Sequence, residues 1–289
     1  MFTRIVVGVD RRDGGRDALA LAALLQSVGG GELLAVHACA SKPLIHEDVL
    51  ACVESELTRA GATGRPVAVT AHSPAHALRT VAERVGAELI VIGSTRRAGA
   101  DRVLAGDDAA ATLHRAPCAV AVAPRGFAGE ARWLQRVGVG LDDSAEARIA
   151  LALARRLGHL AGACVRAITV ASPAVPPWPA VAWNPAWAGP AEEPLPADRL
   201  VASVTAELDD DVTPEIAVGT PWKELALRSA DLDLLVVGAH AYGPVRRLVL
   251  GSTSTRLARH AACPLLVTPR GAHATANAAE LAEAPRRAQ

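Results

Sequence analysis

The stretch Gly86–Pro124, GAELIVIGSTRRAGADRVLAGDDAAATLHRAPCAVAVAP, lies without a gap over Asp231–Pro269, DLDLLVVGAHAYGPVRRLVLGSTSTRLARHAACPLLVTP. Gly93 meets Gly238, Gly106 meets Gly251, Cys118 meets Cys263 and Pro124 meets Pro269, at one offset of 145 residues (238 − 93). The amino ends echo each other as well: IVVGVD at Ile5–Asp10 answers VGVGLD at Val137–Asp142, at an offset of 132 (142 − 10). A unit this long, used twice, implies two similar domains rather than a solenoid of short repeats. Each copy is also a reference for the other, showing what one keeps and the other has lost.

Between the repeats the pattern is that of a layered α/β chain. Short β-rich apolar runs mark strands near Ile5–Val9, Leu33–His37, Val67–Thr70, Leu89–Ile92 and Ala119–Ala123, and again near Arg136–Leu141, Ala163–Val170, Glu215–Val218, Leu234–Val237 and Leu265–Thr268. Their continuous apolar character suits strands buried on both faces, as in a parallel sheet. Helical patterns fall at Asp17–Val28, Glu47–Ala60, Ala75–Val85 and Asp108–Arg115, then at Ala145–Leu160, Ala197–Leu208, Trp222–Ala230 and Thr253–His260. Five strands alternating with four helices, twice, predict two tandem α/β/α domains with Rossmann-like five-stranded parallel sheets. The expected limits are residues 1–125 and 131–270, joined at Gly126–Glu130, with a tail at 271–289.

The copies differ most at Ser172–Pro196, SPAVPPWPAVAWNPAWAGPAEEPLP, which carries Trp178, Trp183 and Trp187. Proline at this density forbids a helix or central strand. The segment reads as a surface loop, or as a flap whose indoles cover a ligand or a partner.

Composition narrows the function. The 289 residues are 51% hydrophobic with zero formal net charge. A nucleic-acid or membrane-surface role, which calls for a basic patch or tail, gains no support. No basic-then-apolar leader and no span-length apolar run occur, so a cytoplasmic location is expected. The five cysteines, Cys39, Cys52, Cys118, Cys164 and Cys263, have no metal or redox spacing and read as small buried thiols.

In an open parallel sheet the binding crevice opens at the carboxyl ends of the strands, where strand order reverses. Two features of each copy converge there. One is the acid ending the first strand, Asp10 or Asp142, preceded by Gly8 or Gly140. The other is the loop after the fourth strand, opening at Gly93 or Gly238 and closing at Gly106 or Gly251 before a helix. Glycine lets backbone approach a ligand, and a helix amino end offers unpaired N–H groups suited to phosphate.

A glycine, two residues, a glycine, nine residues and Gly-Ser/Thr: this spacing resembles the nucleotide loop of the ATP-binding universal stress proteins. The second copy has Gly238, Ala241 in place of the middle glycine, then Gly251, Ser252, Thr253 and Ser254. ARHAACPLLVTP, GVD and GLDDS at the first strands, and SPAHAL and TPWKEL at the third helices are similar to that family too. The resemblance covers roughly Arg4–Pro269 and implies a tandem member. It implies adenosine near Asp142 and the backbone of Ala167–Thr169, with Val237, Gly238, His240 and Ala241 following the phosphates. Gly251, Ser252, Thr253 and Ser254 would bind them, with ATP as cofactor and Mg2+ as its possible companion. A plain helix cap is the competing reading of Ser252 and Thr253.

The first copy departs further. The middle glycine is Arg96, and Gly106 is followed by Asp107 and Asp108. Like charges about 4 Å apart repel by roughly 4 kcal/mol at an effective dielectric near 20. Asp107 or Asp108 is therefore expected to cap its own helix where a competent relative holds ATP. Alternatives are a phosphate contact from Arg96, or a metal ion bridging the acids. His72 and His76 read as a surface pair before a metal site, His37 as a half-buried polar tip and Ser144 as an N-cap. No nucleophile–base arrangement, Walker loop or GxGxxG fingerprint is present.

The expected function is a nucleotide-gated binding module with a competent second site and a degenerate first one, at most slowly hydrolytic. The alternatives are a nucleotide-free scaffold and an adenylate-forming enzyme, though the SGGxDS-type loop of the latter is missing. Ala119–Ala123 and Leu265–Thr268 are expected to pair across a pseudo-two-fold axis. The whole chain is expected to be able to dimerise again through similar surfaces, and its protein partner is unknown.

Overall fold

A computed structural model describes residues 1–10, 13–39, 46–94, 112, 116–129, 133–171, 202, 204, 206, 208–239 and 252–269. In chain order the elements are β1 (Arg4–Gly8), α1 (Asp13–Gly29), β2 (Glu32–Cys39), α2 (His46–Arg59), β3 (Gly64–Thr70), α3 (Pro74–Val85), β4 (Leu89–Gly93) and β5 (Ala119–Ala123). The second half has β6 (Arg136–Gly140), α4 (Ala145–Ala161), β7 (Cys164–Ala171), β8 (Val212–Val218), α5 (Pro221–Arg228), β9 (Leu234–Gly238), α6 (Ser252–His260) and β10 (Leu265–Thr268). The expected helix Asp108–Arg115 is described only at Thr112, and Ala197–Leu208 only at four positions, of which 202, 204 and 206 are helical. The proline- and tryptophan-rich stretch 172–196 and the tail lie outside the described residues.

All ten strands form one sheet in the order β3-β2-β1-β4-β5-β10-β9-β6-β7-β8. Each half is parallel throughout, and the single antiparallel pairing joins them: Leu265 faces Val122, Leu266 faces Ala121 and Val267 faces Val120. β5 is AVAVA and is buried along its length. Alternating small side chains on both faces let it sit in the middle of a ten-stranded sheet with helices above and below. Both edges of the expected pairing are thereby used within one chain. The outer edges are β3 and β8, so sheet-edge dimerisation through β5 and β10 is closed to the whole chain.

Each face of the sheet carries its own core. On one face α1, α2 and α4 cover Ile5, Val7, Leu33, Val91, Val137, Val139, Leu234 and Leu266 in an apolar layer that runs through both halves. On the other, α3, α5 and α6 cover Val6, Ile90, Val120, Leu235, Leu265 and Val267. The two layers follow from the two-residue period of the strands.

Boundaries differ from the sequence reading for physical reasons. β3 and β8 start earlier than expected, running through Pro66 and Pro214. An edge strand tolerates a residue without an N–H, and proline there blunts the edge against unwanted pairing. α1 starts at Asp13 rather than Asp17 and takes in Gly14 and Gly15. These glycines admit close docking rather than a loop. A Cβ on Gly15 would lie 2.4 Å from the Asp10 nitrogen, and one on Gly14 2.8 Å from the Ser94 carbonyl oxygen.

The join also differs from a plain linker. It holds a 3-10 turn, Phe127–Gly129, whose Phe127 is 2% exposed. Asp17 of α1, itself 2% exposed, accepts bonds from the N–H groups of Gly126 (3.0 Å) and Ala128 (2.9 Å). The position matching Asp17 in the second half is Ile149, so this anchor is unique to the first. The reading of all five cysteines as buried needs correction. Cys118 and Cys263 are buried, but Cys39 and Cys52 are half-buried and Cys164 is exposed at the start of β7.

Two predictions follow from these contacts. Burial pushes the Asp17 carboxyl above its ordinary value of 3.8, against the pull of the Ala128 and Gly126 N–H groups; the Asp13 charge raises it further and Arg125 lowers it. A raised folded value means stability that is complete below 3.8 and is lost as pH rises through the folded value. Chemical denaturation should therefore show the wild type gaining on Asp17→Asn as pH falls from neutrality toward about 4; a flat difference contradicts the assignment. For the thiols, burial and then the Glu88 charge push Cys118 up to about 12, and burial pushes Cys263 up as well. Thiol alkylation at neutral pH should label Cys164 first and leave Cys118 and Cys263 unlabelled until the chain is unfolded.

Candidate functional site

β6 goes to β7 on one side, and the chain later returns to β9 on the other, so strand order reverses between β6 and β9. The crevice of the second half therefore opens at the carboxyl ends of β6, β7 and β9. Gly140, Asp142, Thr169, Val237 and Gly238 all stand there. His240, Ala241 and Gly251 lie outside the described residues, as do Arg96, Gly106 and Asp107 of the first half.

Four local contacts shape this end of the sheet. Ser254, 2% exposed in the first turn of α6, donates from its hydroxyl to the Gly238 carbonyl at 3.2 Å. That bond brings the amino end of α6 onto the end of β9; in the same turn Ser252 is exposed and Thr253 half-buried. Thr268 donates to the Val237 carbonyl at 3.4 Å, and the Ala239 N–H to the Thr268 carbonyl at 3.0 Å, so β10 holds the exit of β9. The Leu141 N–H donates to the Ile168 carbonyl at 2.9 Å, keeping β6 and β7 together up to Asp142.

Asp142 is exposed. Its Oδ1 accepts from the Ser144 N–H at 3.0 Å and from the Ser144 hydroxyl, while these bonds leave Oδ2 open. Ser144 is the N-cap of α4, accepting from the Ala147 N–H at 3.1 Å. Asp143 points elsewhere, to Arg148 at 2.8 Å. Thr169 is 2% exposed, so its backbone rather than its hydroxyl is what β7 presents.

Packing accounts for the glycines before any ligand is invoked. A Cβ on Gly140 would lie 3.1 Å from Leu225 and 3.3 Å from Val237; one on Gly8 would lie 3.1 Å from Leu78. Helices α5 and α3 thus rest on the same glycine in each half. Gly238 is tighter, its Cβ falling 2.7 Å from the Glu146 carbonyl carbon, and Gly93 meets the Gly14 carbonyl oxygen in the same way.

The first-half crevice, at the ends of β1 and β4, is arranged differently. Asp10 Oδ1 accepts from the Gly15 N–H at 2.9 Å and so serves the start of α1. Ser94, where the second half has Ala239, is 6% exposed, and its hydroxyl has no partner among the described residues. His37 Nδ1 sits 2.9 Å from the Val9 carbonyl oxygen. His72 and His76 stack with ring centres 4.4 Å apart. Among the described residues no three His, Cys, Asp or Glu side chains gather as a metal site. A groove of about 450 Å3 runs along α1 and α2 past Phe127, and it shares no lining residue with the strand ends.

The description of the universal stress protein family matches residues 1–124 and again 134–269. The chain belongs to the universal stress protein family. Universal stress proteins of Mycobacterium tuberculosis and Mycobacterium bovis are 32% identical to it over 221 residues, covering 70% of this chain and 73% of theirs. A universal stress protein of Archaeoglobus fulgidus has a similar fold, with a TM-score of 0.64 at 20% identity over 93% of this chain and 98% of that one. A universal stress protein of Pseudomonas aeruginosa has a TM-score of 0.67 at 17% identity over 98% of both chains. Membership of this family makes the chain one of the stress-response proteins. Among the described residues no helix is long and apolar enough to cross a membrane.

The tightness at Gly238 can be measured. Gly238→Ala drives a methyl into the Glu146 backbone and should destabilise the fold by roughly 1–3 kcal/mol. Gly140→Ala meets side chains rather than backbone, the flexible end of Leu225 at 3.1 Å and Val237 at 3.3 Å, and should cost less. Equal costs in urea denaturation would contradict the contact geometry.

Proposed function

We propose that the second half binds an adenine nucleotide, ATP, and that its occupancy changes the surface offered to a protein partner. The supporting observation is the bond from Ser254 to the Gly238 carbonyl, which places a helix amino end over the strand-order reversal. Ser254 acts as a positioning residue. Ser252 and Thr253, with the N–H groups of the first turn of α6, then face the phosphates together with Gly251, His240 and Ala241. Asp142 Oδ2 and the backbone of Ala167–Thr169 take the adenosine. Mg2+ would travel with the phosphates and adds charge neutralisation to that of the helix end.

Occupancy acts as a switch only if the nucleotide prefers the ordered loop from Gly238 to Gly251 over other arrangements. Among the described residues no group is placed as a general base for water; the proposed role is binding, with slow hydrolysis at most. The first half, residues 1–125, acts as a degenerate partner: Asp10 serves its own helix, and Asp107 and Asp108 oppose phosphate by their charge. The second, residues 131–270, carries the site, in a cytoplasmic setting.

Acid extraction of the purified protein, followed by ATP titration against tryptophan fluorescence, tests the reading. One nucleotide per chain is expected, and Ser252→Asp should remove binding while leaving the thermal unfolding curve in place. No binding at millimolar ATP supports a nucleotide-free scaffold instead. Unchanged affinity in Ser252→Asp places the phosphates elsewhere.

A further inference from the structure

Helices α5 and α6 pack side by side on the face of the sheet opposite α4. Where they meet, the Trp222 indole is held by cations and an imidazole. The Arg256 guanidinium lies 5.3 Å from the ring centre, the Lys223 ammonium 5.7 Å and the His260 ring 5.1 Å. Lys223, Arg256 and His260 are exposed, and Arg259 beside them is exposed too. Lys223 and Leu227 are four residues apart on one side of α5, and Leu227 is 70% exposed. Arg256 and His260 have the same spacing on α6. Trp222, Lys223, Arg256 and His260 thus form one surface, with an indole in the middle and basic groups around it.

The charges on this surface are unmatched. None of Lys223, Arg256, Arg259 and His260 forms an ion pair among the described residues, and α6 contains no acid. The nearby acids are engaged elsewhere: Glu215 and Glu224 both bind Arg228, at 2.6 and 2.7 Å, and Asp233 binds Arg136. In a chain with zero formal net charge, three cationic side chains and a histidine on one helix pair, unpaired among the described residues, are a local concentration. The Trp222 N–H is buried and has no acceptor among the described residues. Stacking, not a hydrogen bond, fixes the ring. The first half does not repeat the arrangement, since Ala75 stands where Trp222 does and Ala111 where Arg256 does.

We infer that the α5–α6 face of the second half is a docking surface for an acidic protein segment bearing an apolar side chain. Lys223, Arg256 and Arg259 supply the complementary charge, and the Trp222 ring supplies the apolar centre. Interfaces concentrate tryptophan and arginine in this way, and rim charges set orientation and encounter rate. The inference stands apart from nucleotide binding, because none of these side chains is a phosphate or adenosine contact in that reading.

The test follows the Trp222 indole N–H signal by NMR on the full chain, assigned by its loss in Trp222→Phe. Probes are oligo-glutamate carrying one leucine, oligo-glutamine and oligo-lysine of equal length, and a single-stranded oligonucleotide. Oligo-glutamate should move the signal at low salt, and the effect should fade as the Debye length shortens to about 8 Å near physiological ionic strength. Arg259→Glu, at a side chain with no hydrogen bond or ion pair among the described residues, should weaken that binding roughly fivefold or more. Lys223→Glu combined with Arg256→Glu should abolish it. No shift with oligo-glutamate, the same affinity in Arg259→Glu, or tighter binding of the oligonucleotide overturns the inference. These outcomes leave the ATP titration untouched, so the two proposals fail separately.

Discussion

The antiparallel pairing of Ala119–Ala123 with Leu265–Thr268 is the constraint on which the remaining architecture depends. It merges two parallel sheets into one, removes two exposed edges and puts Val120, Ala121, Leu265 and Leu266 at zero exposure. An exposed apolar edge of this kind invites association with other chains. Here the chain satisfies it internally, and the edges left over, β3 and β8, carry Pro66 and Pro214. The pairing also sets where function can sit. Since each half is parallel and the junction antiparallel, the strand ends of the two halves point to opposite ends of the sheet. The two crevices are therefore independent, and one can lose its ligand chemistry without disturbing the other.

That independence is visible in how the same frame is finished twice. Both halves rest a helix on the glycine ending their first strand, through Leu78 on Gly8 and Leu225 on Gly140. Both press the start of their first helix against the glycine ending their fourth. Beyond these shared contacts the halves diverge in charge and hydrogen bonding. The first uses Asp10 on its own helix and Asp17 to grip the join. The second leaves one oxygen of Asp142 open and ties the beginning of α6 to Gly238 through Ser254. The divergence lies in the polar groups at the strand ends and helix ends, beside glycines that packing holds in both halves.

Periodicity and repetition carried most of the fold. Strands buried on both faces and a constant offset of 145 residues (238 − 93) required two similar parallel units, and the unpaired apolar strands ending them implied the junction. The boundaries that were misjudged share a cause: proline and glycine were read by their local habits, whereas tertiary position decides them. Pro66 and Pro214 sit in strands because those strands are edges. Gly14 and Gly15 sit in a helix because neighbouring backbone leaves no room for a side chain. Phe127 and Asp17 escaped notice because a buried anchor 110 residues away (127 − 17) leaves no short-range pattern. The Trp222 surface is invisible for the same reason, as its members come from two helices separated in sequence. In the candidate site, Gly140, Asp142 and Gly238 were legible from motif spacing. The role of Ser254 toward the Gly238 carbonyl was not, since a serine at a helix start suits a cap equally well.

The central claim is that a single crevice, at the ends of β6 and β9, accepts an adenine nucleotide. The most direct measurement is a crystal structure of the full chain grown with ATP. The account requires nucleotide density beside Asp142, Gly238 and Ser252, with none at the opposite end of the sheet beside Asp10 and Gly93. Density at Asp10 and Gly93 with an empty second crevice would contradict it.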